Sequence, residues 1–378
     1  MRKEDELENY GFDLKAQRRA KKYHGDGRKL DLIQHFVYLP LMVLFAFYGS
    51  GQLAGWAKSL TGNVWLGYLT YVAVFFAGLS LVDFPFDYGG YMIEQKYDLS
   101  NQSPASWLVD QLKSFGVSLL MALVLLPSIY LLISSSGLWW VYSWLVVTAV
   151  MVFMGFISPT VLMPLFYDFE PLEDQELAER LTGLAEEAGV EVLGAYKMGA
   201  EEKTEKAIGG LTGIGSTRRI ILSDTLLDNF TADEIETVIA HELGHHVNGD
   251  LIWSVVQSSL ITLFGLFVAK LFLRPFAGVF GLGGGIESLP AFLLLLGALF
   301  FLLSPLDNWI SRIRERRADE FAREMTGAFS AQASSLVKLS KRNLSDAAPH
   351  PLIEFLFYDH PSALKRVRAA DRASGGNY

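Results

Sequence analysis

The chain has 378 residues, of which 51% are hydrophobic and 19% are charged, and its mean hydropathy is positive. This balance excludes an ordinary soluble enzyme and is typical of a multi-span membrane protein with soluble parts. The formal net charge of -9 gives no basis for nucleic-acid binding, and the lack of cysteine excludes disulfides, thiolate catalysis and cysteine-ligated metals.

Residues 1–33 form a polar N-terminal arm that is rich in Lys and Arg. The arm lacks the short apolar core of a signal peptide. We interpret it as a solvated, partly helical segment. The alternative is a cytoplasmic anchor whose positive charge sets the orientation of the first span.

Six apolar segments follow, and each is close to the roughly 20 residues that a bilayer requires. The first four make up an N-terminal membrane region, 34–158, and the last two form a membrane hairpin, 251–308. The predicted spans are 34–56, 64–84, 114–134, 138–158, 251–273 and 288–308. Asp83 and Asp87 close the second span, where they either face a watery interior or mark its end.

The distribution of Lys and Arg predicts how these spans are oriented. Both residues are sparse in the connections after the first, third and fifth spans. They are abundant in the N-terminal arm, in 159–250 and in the C-terminal part, 309–378. By the positive-inside rule, this pattern predicts both termini and the soluble parts on the cytoplasmic side of the membrane.

Residues 159–250 form the main soluble insert. A charged amphipathic helix is predicted over 172–188, and short strands are predicted at 190–198 and 219–222. The glycines between the two strands, 209–215, are predicted to form turns. The edge of such a sheet can hold an extended peptide by backbone hydrogen bonds.

The insert ends in a predicted helix, 231–248, that carries the motif His-Glu-Leu-Gly-His. Residues four apart share a face of a helix, so His241 and His245 can hold one metal ion. Glu242 can then reach a water molecule on that metal. Two imidazoles with a carboxylate and an open position are typical of catalytic zinc. The alternative is a surface helix that carries two histidines by chance.

A zinc site needs a third protein ligand, and the acids after the last span are the candidates. Glu315 and Asp319 are four residues apart and share a helix face. One of them can bind the metal while the other accepts a hydrogen bond from a ligand histidine. Because several Arg residues surround them, spacing alone leaves open a cluster of surface ion pairs. Glu320 lies off this face and is predicted to be solvated.

Together these motifs resemble the type I CAAX prenyl protease family of integral-membrane zinc metallopeptidases. The family pattern is HELGH followed, after a membrane hairpin, by S-R-x-x-E-x-x-A-D, which here spans 241–245 and 311–319. The likeness extends over roughly 35–370. Further blocks that resemble the family are 91–97, 164–172 and 358–366.

The resemblance implies a role for each matching residue. Glu315 becomes the third zinc ligand, with one Zn²⁺ per chain, and Asp319 becomes the partner of a ligand histidine. His360 and Arg366 become candidates to stabilise an oxyanion or to hold a substrate carboxylate. The residues alone favour a structural histidine at a helix start for His360.

The fold and function that follow are those of a mainly α, multi-pass membrane protein with a small α+β zincin domain. We predict a metalloendopeptidase that cleaves membrane-associated peptides, including prenylated ones that end in C-a-a-X. Its expected partners are the lipid bilayer and a peptide or protein substrate, and no nucleic acid. One alternative is a membrane quality-control protease of the HtpX type. Another is a non-catalytic zinc-binding sensor or scaffold, against which the intact Glu242 argues.

Two features depart from the family resembled. The family tends to have seven spans, and this chain has six predicted ones. The family also tends to have an Asn-Ala pair ahead of the strand, where this chain has Lys206-Ala207. The lysine makes the details of substrate binding uncertain.

Overall fold

A computed structural model describes residues 3–213 and 215–375. The protein consists of a bundle of long apolar helices joined to a soluble α+β part. The helices are α1 (Lys3–Asn9), α2 (Leu14–Tyr48), α3 (Ser50–Thr61), α4 (Val64–Lys96), α5 (Pro104–Ser135), α6 (Trp139–Ile157), α7 (Met163–Phe166), α8 (Gln175–Glu187), α9 (Asp224–Asn229), α10 (Ala232–Val247), α11 (Asp250–Val279), α12 (Leu289–Thr326), α13 (Phe329–Arg342), α14 (Pro351–Phe357) and α15 (Ala363–Ala373). The strands are β1 (Phe169–Pro171), β2 (Ala195–Met198), β3 (Gly209–Thr212) and β4 (Arg219–Ser223).

Six helical segments of the described chain are long and apolar enough to cross a membrane, as predicted. Most of them extend well beyond the predicted spans, because their polar ends continue the helix past the apolar stretch. The fourth span continues from α6 through a π-helical turn, Ser158–Leu162, into α7. The sixth is α12 with the short 3₁₀ turn Ile286–Ser288 ahead of it, and its polar end carries Glu315 and Asp319 into the soluble part.

The first predicted span, 34–56, does not coincide with a single helix. α2 begins at Leu14, where the Asp13 carboxylate caps the amides of Lys15 and Ala16, so the arm and the span are one helix. That helix ends at Tyr48, and α3 begins at Ser50, directly after the junction residue Gly49. A Cβ on Gly49 would lie 2.5 Å from the Phe45 ring, so a larger residue at this junction would require that ring to move.

The N-terminal arm is not fully solvated as predicted; its first two residues lie outside the described part of the chain. Leu7 and Phe12 are buried against Leu364 and Val367 of the C-terminal part. The Gln17 side chain donates to Ser340 and accepts from the amide of Ala347. The arm therefore helps to complete the fold of the tail.

The soluble sheet has the strand order β1-β2-β4-β3, with β2 and β4 parallel and the other pairs antiparallel. The predicted strand 219–222 is confirmed, and the predicted strand 190–198 is confined to 195–198. The turn predicted for Gly209 and Gly210 is wrong, because both lie in the edge strand β3. A Cβ on Gly209 would meet Leu226 at 2.9 Å and Val238 at 3.2 Å, so this glycine allows β3 to approach α10 closely.

One hydrophobic core joins parts of the soluble region that are distant in sequence. Leu181 of α8, Leu222 of β4 and Ile239 of α10 are fully buried in it. Ala322 of α12 lies in the same core, on the far side of the membrane hairpin in sequence. The chain therefore leaves this core at α11 and returns to it at α12. Residues before and after the membrane hairpin are thereby held next to each other.

Candidate metal centre

The helix that carries the first site residues is α10, and its start is a complete capping box. The Thr231 hydroxyl accepts from the amide of Glu234, and the Glu234 carboxylate accepts from the amide of Thr231. Ile235 and Leu243 face the core. This places His241 and His245 on the opposite side, toward α12, as the spacing predicts.

α12 packs closely against α10 beside Gly244. A Cβ on Gly244 would lie 3.1 Å from the Ala318 Cα and 3.1 Å from the Phe321 side chain. The two helices can approach this closely only because both contact residues, Gly244 and Ala318, are small. The crossing brings Glu315 of α12 against the two histidines of α10.

Three metal-binding side chains converge at this crossing. His241 Nε2 lies 3.2 Å from His245 Nε2 and 3.3 Å from Glu315 Oε2, and His245 Nε2 lies 3.2 Å from Glu315 Oε1. Tetrahedral zinc with bonds of about 2.0–2.1 Å separates its ligand atoms by about 3.3 Å. The donor set and its spacing therefore fit one zinc ion.

The Glu315 carboxylate is buried and incompletely satisfied. Its side chain is 7% exposed, and Oε2 has no hydrogen-bond partner in the described structure despite its closeness to His241. A buried carboxylate oxygen without a partner is costly unless a cation compensates it. This orphaned atom is a second indication that residues 241, 245 and 315 could hold a metal ion.

The other ring nitrogen of each histidine is held by a carboxylate. His241 Nδ1 lies 3.0 Å from Asp319 Oδ1, and His245 Nδ1 lies 2.9 Å from Asp250 Oδ2. Such pairs place the proton on Nδ1 and leave Nε2 free to bind metal. Asp319 therefore lies where the resemblance implies.

Asp250 is a site residue that sequence reasoning missed. It is the last residue of the predicted soluble insert, 159–250, and no role was predicted for it. In the structure, Gly249 adopts a left-handed conformation with φ 68°, and the chain turns so that Asp250 faces back to His245. The signal in the sequence was an acid directly after the pair Asn248-Gly249, which is typical of a helix end.

These carboxylates shift the titration of both histidines. Burial alone would lower the pKa of His241, but the hydrogen bonds to Asp319 and Glu315 outweigh it and raise the pKa to about 9. For His245 burial again lowers the pKa, and the contacts with Glu315 and Asp250 raise it above its ordinary value. In the absence of metal, the site therefore holds protons where a cation would bind.

Arg366 of α15 reaches the site through Asp319. Its Nε lies 2.9 Å from Asp319 Oδ2 and its Nη2 lies 2.7 Å from Asp319 Oδ1, so the pair is bidentate. Nη1 is 4.0 Å from Glu315 Oε2. This geometry favours a role in positioning Asp319 over the predicted direct contact with substrate.

His360 lies at the solvent side of the site. Its Nε2 is 3.3 Å from Glu315 Oε1, and its Nδ1 is 2.7 Å from the Asp359 carboxylate. The side chain is 51% exposed. The Asp359 hydrogen bond and the charge of Glu315 raise the pKa of His360 against the effect of burial, so the ring can donate.

A cavity of about 250 Å³ opens beside these residues. His241, Glu242, His360 and Arg366 line one side of it, and Gly209 of β3 lines another. A Cβ on Gly210 would lie 4.0 Å from Glu242 Oε2, so the edge strand passes close to this carboxylate. The Glu242 carboxylate, the candidate metal cluster and the edge strand of the described sheet therefore share one small space.

Lys206, which stands where the family tends to have an asparagine, is held by an ion pair in the structure. Lys206 Nζ forms an ion pair of 2.6 Å with Glu94 at the end of α4. Asn343, from the end of α13, holds the backbone of Ala207 by accepting from its amide and donating to its carbonyl. An asparagine is thus present beside Ala207, although it comes from a distant part of the chain.

Comparison with known families gives two matches that together cover most of the chain. Residues 171–374 match peptidase family M48. Residues 4–168 match the family described as CAAX prenyl protease N-terminal, five membrane helices. The structure has four candidate spans in that second range, one fewer than the description gives.

Individual relatives agree with these matches. A metalloprotease of Bacillus subtilis, YhfN, described as uncharacterized, is 31% identical over 349 residues, which are 89% of this chain and 82% of that one. CAAX prenyl protease 1 of Saccharomyces cerevisiae is 28% identical over 319 residues, 78% of this chain and 70% of that one. The crystal structure of S. mikatae Ste24p has the same fold, with a TM-score of 0.85 and 23% identity over 97% of this chain and 91% of that one.

Proposed function

Since the chain belongs to peptidase family M48 and is a membrane zinc metalloprotease, we propose that it cleaves prenylated C-a-a-X-type peptides near their carboxyl terminus. The observation that carries this proposal is the juxtaposition of Glu242 and the edge strand β3 in one cavity beside the metal cluster. The names of the relatives support the substrate class.

We assign the metal to three side chains. His241 and His245 hold one zinc ion through Nε2, and Glu315 holds it through its carboxylate. When bound there, zinc polarises a peptide carbonyl and lowers the pKa of a water molecule. Asp319 and Asp250 keep the two imidazoles oriented, and Arg366 keeps Asp319 in place.

Glu242 is the general base in this assignment. Its carboxylate faces the cavity beside β3, where it can accept a proton from a water molecule. It then gives that proton to the amine nitrogen of the cleaved bond. His360, which borders the same cavity, donates a hydrogen bond to the oxygen that becomes negative during attack or to the carboxylate at the end of the substrate.

β3 is the element that would hold the peptide. In the part of the chain that the structure describes, it pairs only with β4, so its other edge can accept an added strand. Main-chain hydrogen bonds along this edge would lay an extended substrate past Glu242.

We further propose that the site and both termini face the cytoplasm. The support is the concentration of Lys and Arg in 1–33, 159–250 and 309–378, on the side of the bundle where the site lies. The same five-part division of the chain that the sequence predicts, 1–33, 34–158, 159–250, 251–308 and 309–378, remains our proposal for its domains.

The substrate proposal is tested by competition among three substrates in detergent or nanodiscs. We expect a farnesylated C-a-a-X peptide to be cleaved at the expected bond with a kcat/KM at least about tenfold above that of the same peptide without the lipid. Equal cleavage of both peptides would contradict the need for prenylation. Preferential cleavage of an unfolded membrane protein would instead favour a quality-control protease.

A further inference from the structure

A second polar cavity, of about 500 Å³, lies at the end of the bundle opposite the metal cluster. Twenty residues of α11 separate Asp250, at the site, from Lys270, which corresponds to about 30 Å of helix. This distance is about the thickness of the hydrocarbon core of a bilayer. The cavity therefore lies at the level of the other membrane surface.

Two cations of α11 line this cavity. Lys270 and Arg274 are one helical turn apart and share a face. No acidic residue lines the cavity, and in the described part of the chain no carboxylate forms an ion pair with either cation. Glu287, the nearest acid in sequence, accepts a hydrogen bond from the amide of Gly285 and lines a different cavity.

The rest of the cavity wall supplies a hydrogen-bond donor, Ser136, and an aromatic residue, Trp139. The Ser136 hydroxyl accepts from the amide of Leu138, so its own proton is free to be donated. Trp140 does not line the cavity, but its ring centre lies 5.5 Å from Lys270 Nζ. Trp139 and Trp140 open α6 at this level, and tryptophan is enriched where a bilayer meets water.

The loop between α11 and α12 closes the remaining side. A Cβ on Gly284 would lie 3.6 Å from Arg274 Nε, so the guanidinium lies against this loop and not out along the helix. Two unpaired cations, one free hydroxyl and an aromatic wall at the membrane surface form a binding site for a phosphate group that carries a hydrocarbon anchor.

We propose that this cavity binds the headgroup phosphate of an anionic phospholipid. A net negative headgroup is favoured over a zwitterionic one because two cations and no acid line the cavity. Glu287 lies against Gly283 and Gly285 of the adjoining loop but outside this lining. Lys and Arg are scarce on this side of the protein, where the other cation is Lys58. Two cations in one cavity are therefore unusual here. The inference does not depend on the substrate of the metal site.

The test measures lipid binding to the full-length protein by native mass spectrometry from detergent. Phosphatidylglycerol is the anionic probe, phosphatidylcholine the zwitterionic one, and inorganic phosphate the soluble one. We expect phosphatidylglycerol to bind at least about tenfold more tightly than phosphatidylcholine. The Lys270→Gln/Arg274→Gln variant should lose this preference.

Lys58→Gln is the matched control, since Lys58 is on the same side but lines the cavity that contains Glu287. It should bind phosphatidylglycerol like the unaltered protein, and both variants should retain their helical circular dichroism and peptidase activity. The proposal is overturned if the double variant keeps its preference, or if Lys58→Gln loses as much of it. Competition by millimolar inorganic phosphate to the same extent as by lipid would instead identify a soluble phosphate site.

Discussion

At the scale of single residues, each candidate histidine ligand directs Nε2 toward Glu315 in the metal cluster and Nδ1 toward a second carboxylate. His241 is paired with Asp319, which Arg366 holds in a bidentate contact, whereas His245 is paired with Asp250 alone. The two histidines therefore differ in how firmly their rings are fixed. This difference makes Asp250 the more informative residue to change.

We predict that Asp250→Asn weakens zinc binding about 10- to 100-fold, the usual range for loss of a carboxylate behind a histidine ligand. The amide preserves the size of the side chain but no longer stabilises the Nδ1 proton. The measurement is competition for zinc with a chromophoric chelator. Asp228→Asn, at an acid outside the site cavity, is the control. Unchanged zinc affinity in Asp250→Asn would show that the contact with His245 has no role in binding.

The pH dependence of metal binding follows from the titration of His241. With a pKa of about 9, the ring is protonated at neutral pH in the metal-free protein, and zinc must displace that proton. We therefore expect the apparent zinc affinity to rise with pH from 6 to about 9 and zinc uptake to release protons. Chelator competition across this range, with proton release in weak buffer, measures both. A zinc affinity that is constant over this pH range would contradict the assignment.

The metal-free protein should show the opposite trend in stability. A histidine whose pKa is raised on folding stabilises the folded state below its ordinary pKa of about 6.5, and this contribution is lost as pH rises through about 9. Thermal unfolding in the presence of a chelator should therefore show a lower Tm at pH 9 than at pH 6.5 from this contribution. Asp319→Asn, which removes the partner of His241, should reduce that difference.

At the scale of elements, the site depends on the close crossing of α10 and α12. We predict that Gly244→Val destabilises the protein by about 1–3 kcal/mol, the usual effect of inserting carbon atoms into a tight contact. The variant should also lose zinc affinity, because Glu315 moves away with α12. Gly183→Ala in α8 is the control, since nothing lies within 4 Å of a Cβ at that position.

Gly183→Ala should leave zinc binding unchanged and leave stability unchanged or slightly raised, as alanine is the better helix former. Differential scanning calorimetry and zinc titration together separate the two effects. If Gly244→Val binds zinc as well as Gly183→Ala does, the crossing does not position Glu315.

The elements that sequence could predict are those whose signals are local. The capping box and the apolar face of α10 lie within one stretch of chain, so both the helix and the face of its histidines follow from it. β3 could not be predicted, because Gly209 is explained only by Leu226 and Val238, which reach it through the fold. The helix break at Gly49 could not be predicted either, because its explanation is the position of the Phe45 ring in the folded protein.

The site itself was predictable in part for the same reason. The pairing of Glu315 with the HELGH helix came from a family pattern, because spacing alone left surface ion pairs as an alternative. Arg366 was recognised, but its bidentate contact with Asp319 depends on how α15 packs. Asp250 was missed because its role requires the left-handed turn at Gly249.

At the scale of the whole molecule, the membrane hairpin α11–α12 separates two halves of one soluble core. We propose that this soluble core faces the cytoplasm. Because the chain has no cysteine, single introduced cysteines can test this orientation by labelling. We expect Glu187→Cys, at the exposed end of α8, to react with a membrane-impermeant maleimide only after cells are permeabilised. Gly137→Cys, in the exposed loop between α5 and α6, should react in intact cells. The reverse labelling would place the metal site on the outer side.

The central claim is that Glu242 acts as the base beside a zinc ion held by His241, His245 and Glu315. The most direct test is to measure zinc content and peptide cleavage together in Glu242→Gln. The account predicts about one zinc per chain, as in the unaltered protein, with cleavage reduced by about 10²–10⁴-fold or more. Full cleavage by Glu242→Gln with zinc bound would contradict it.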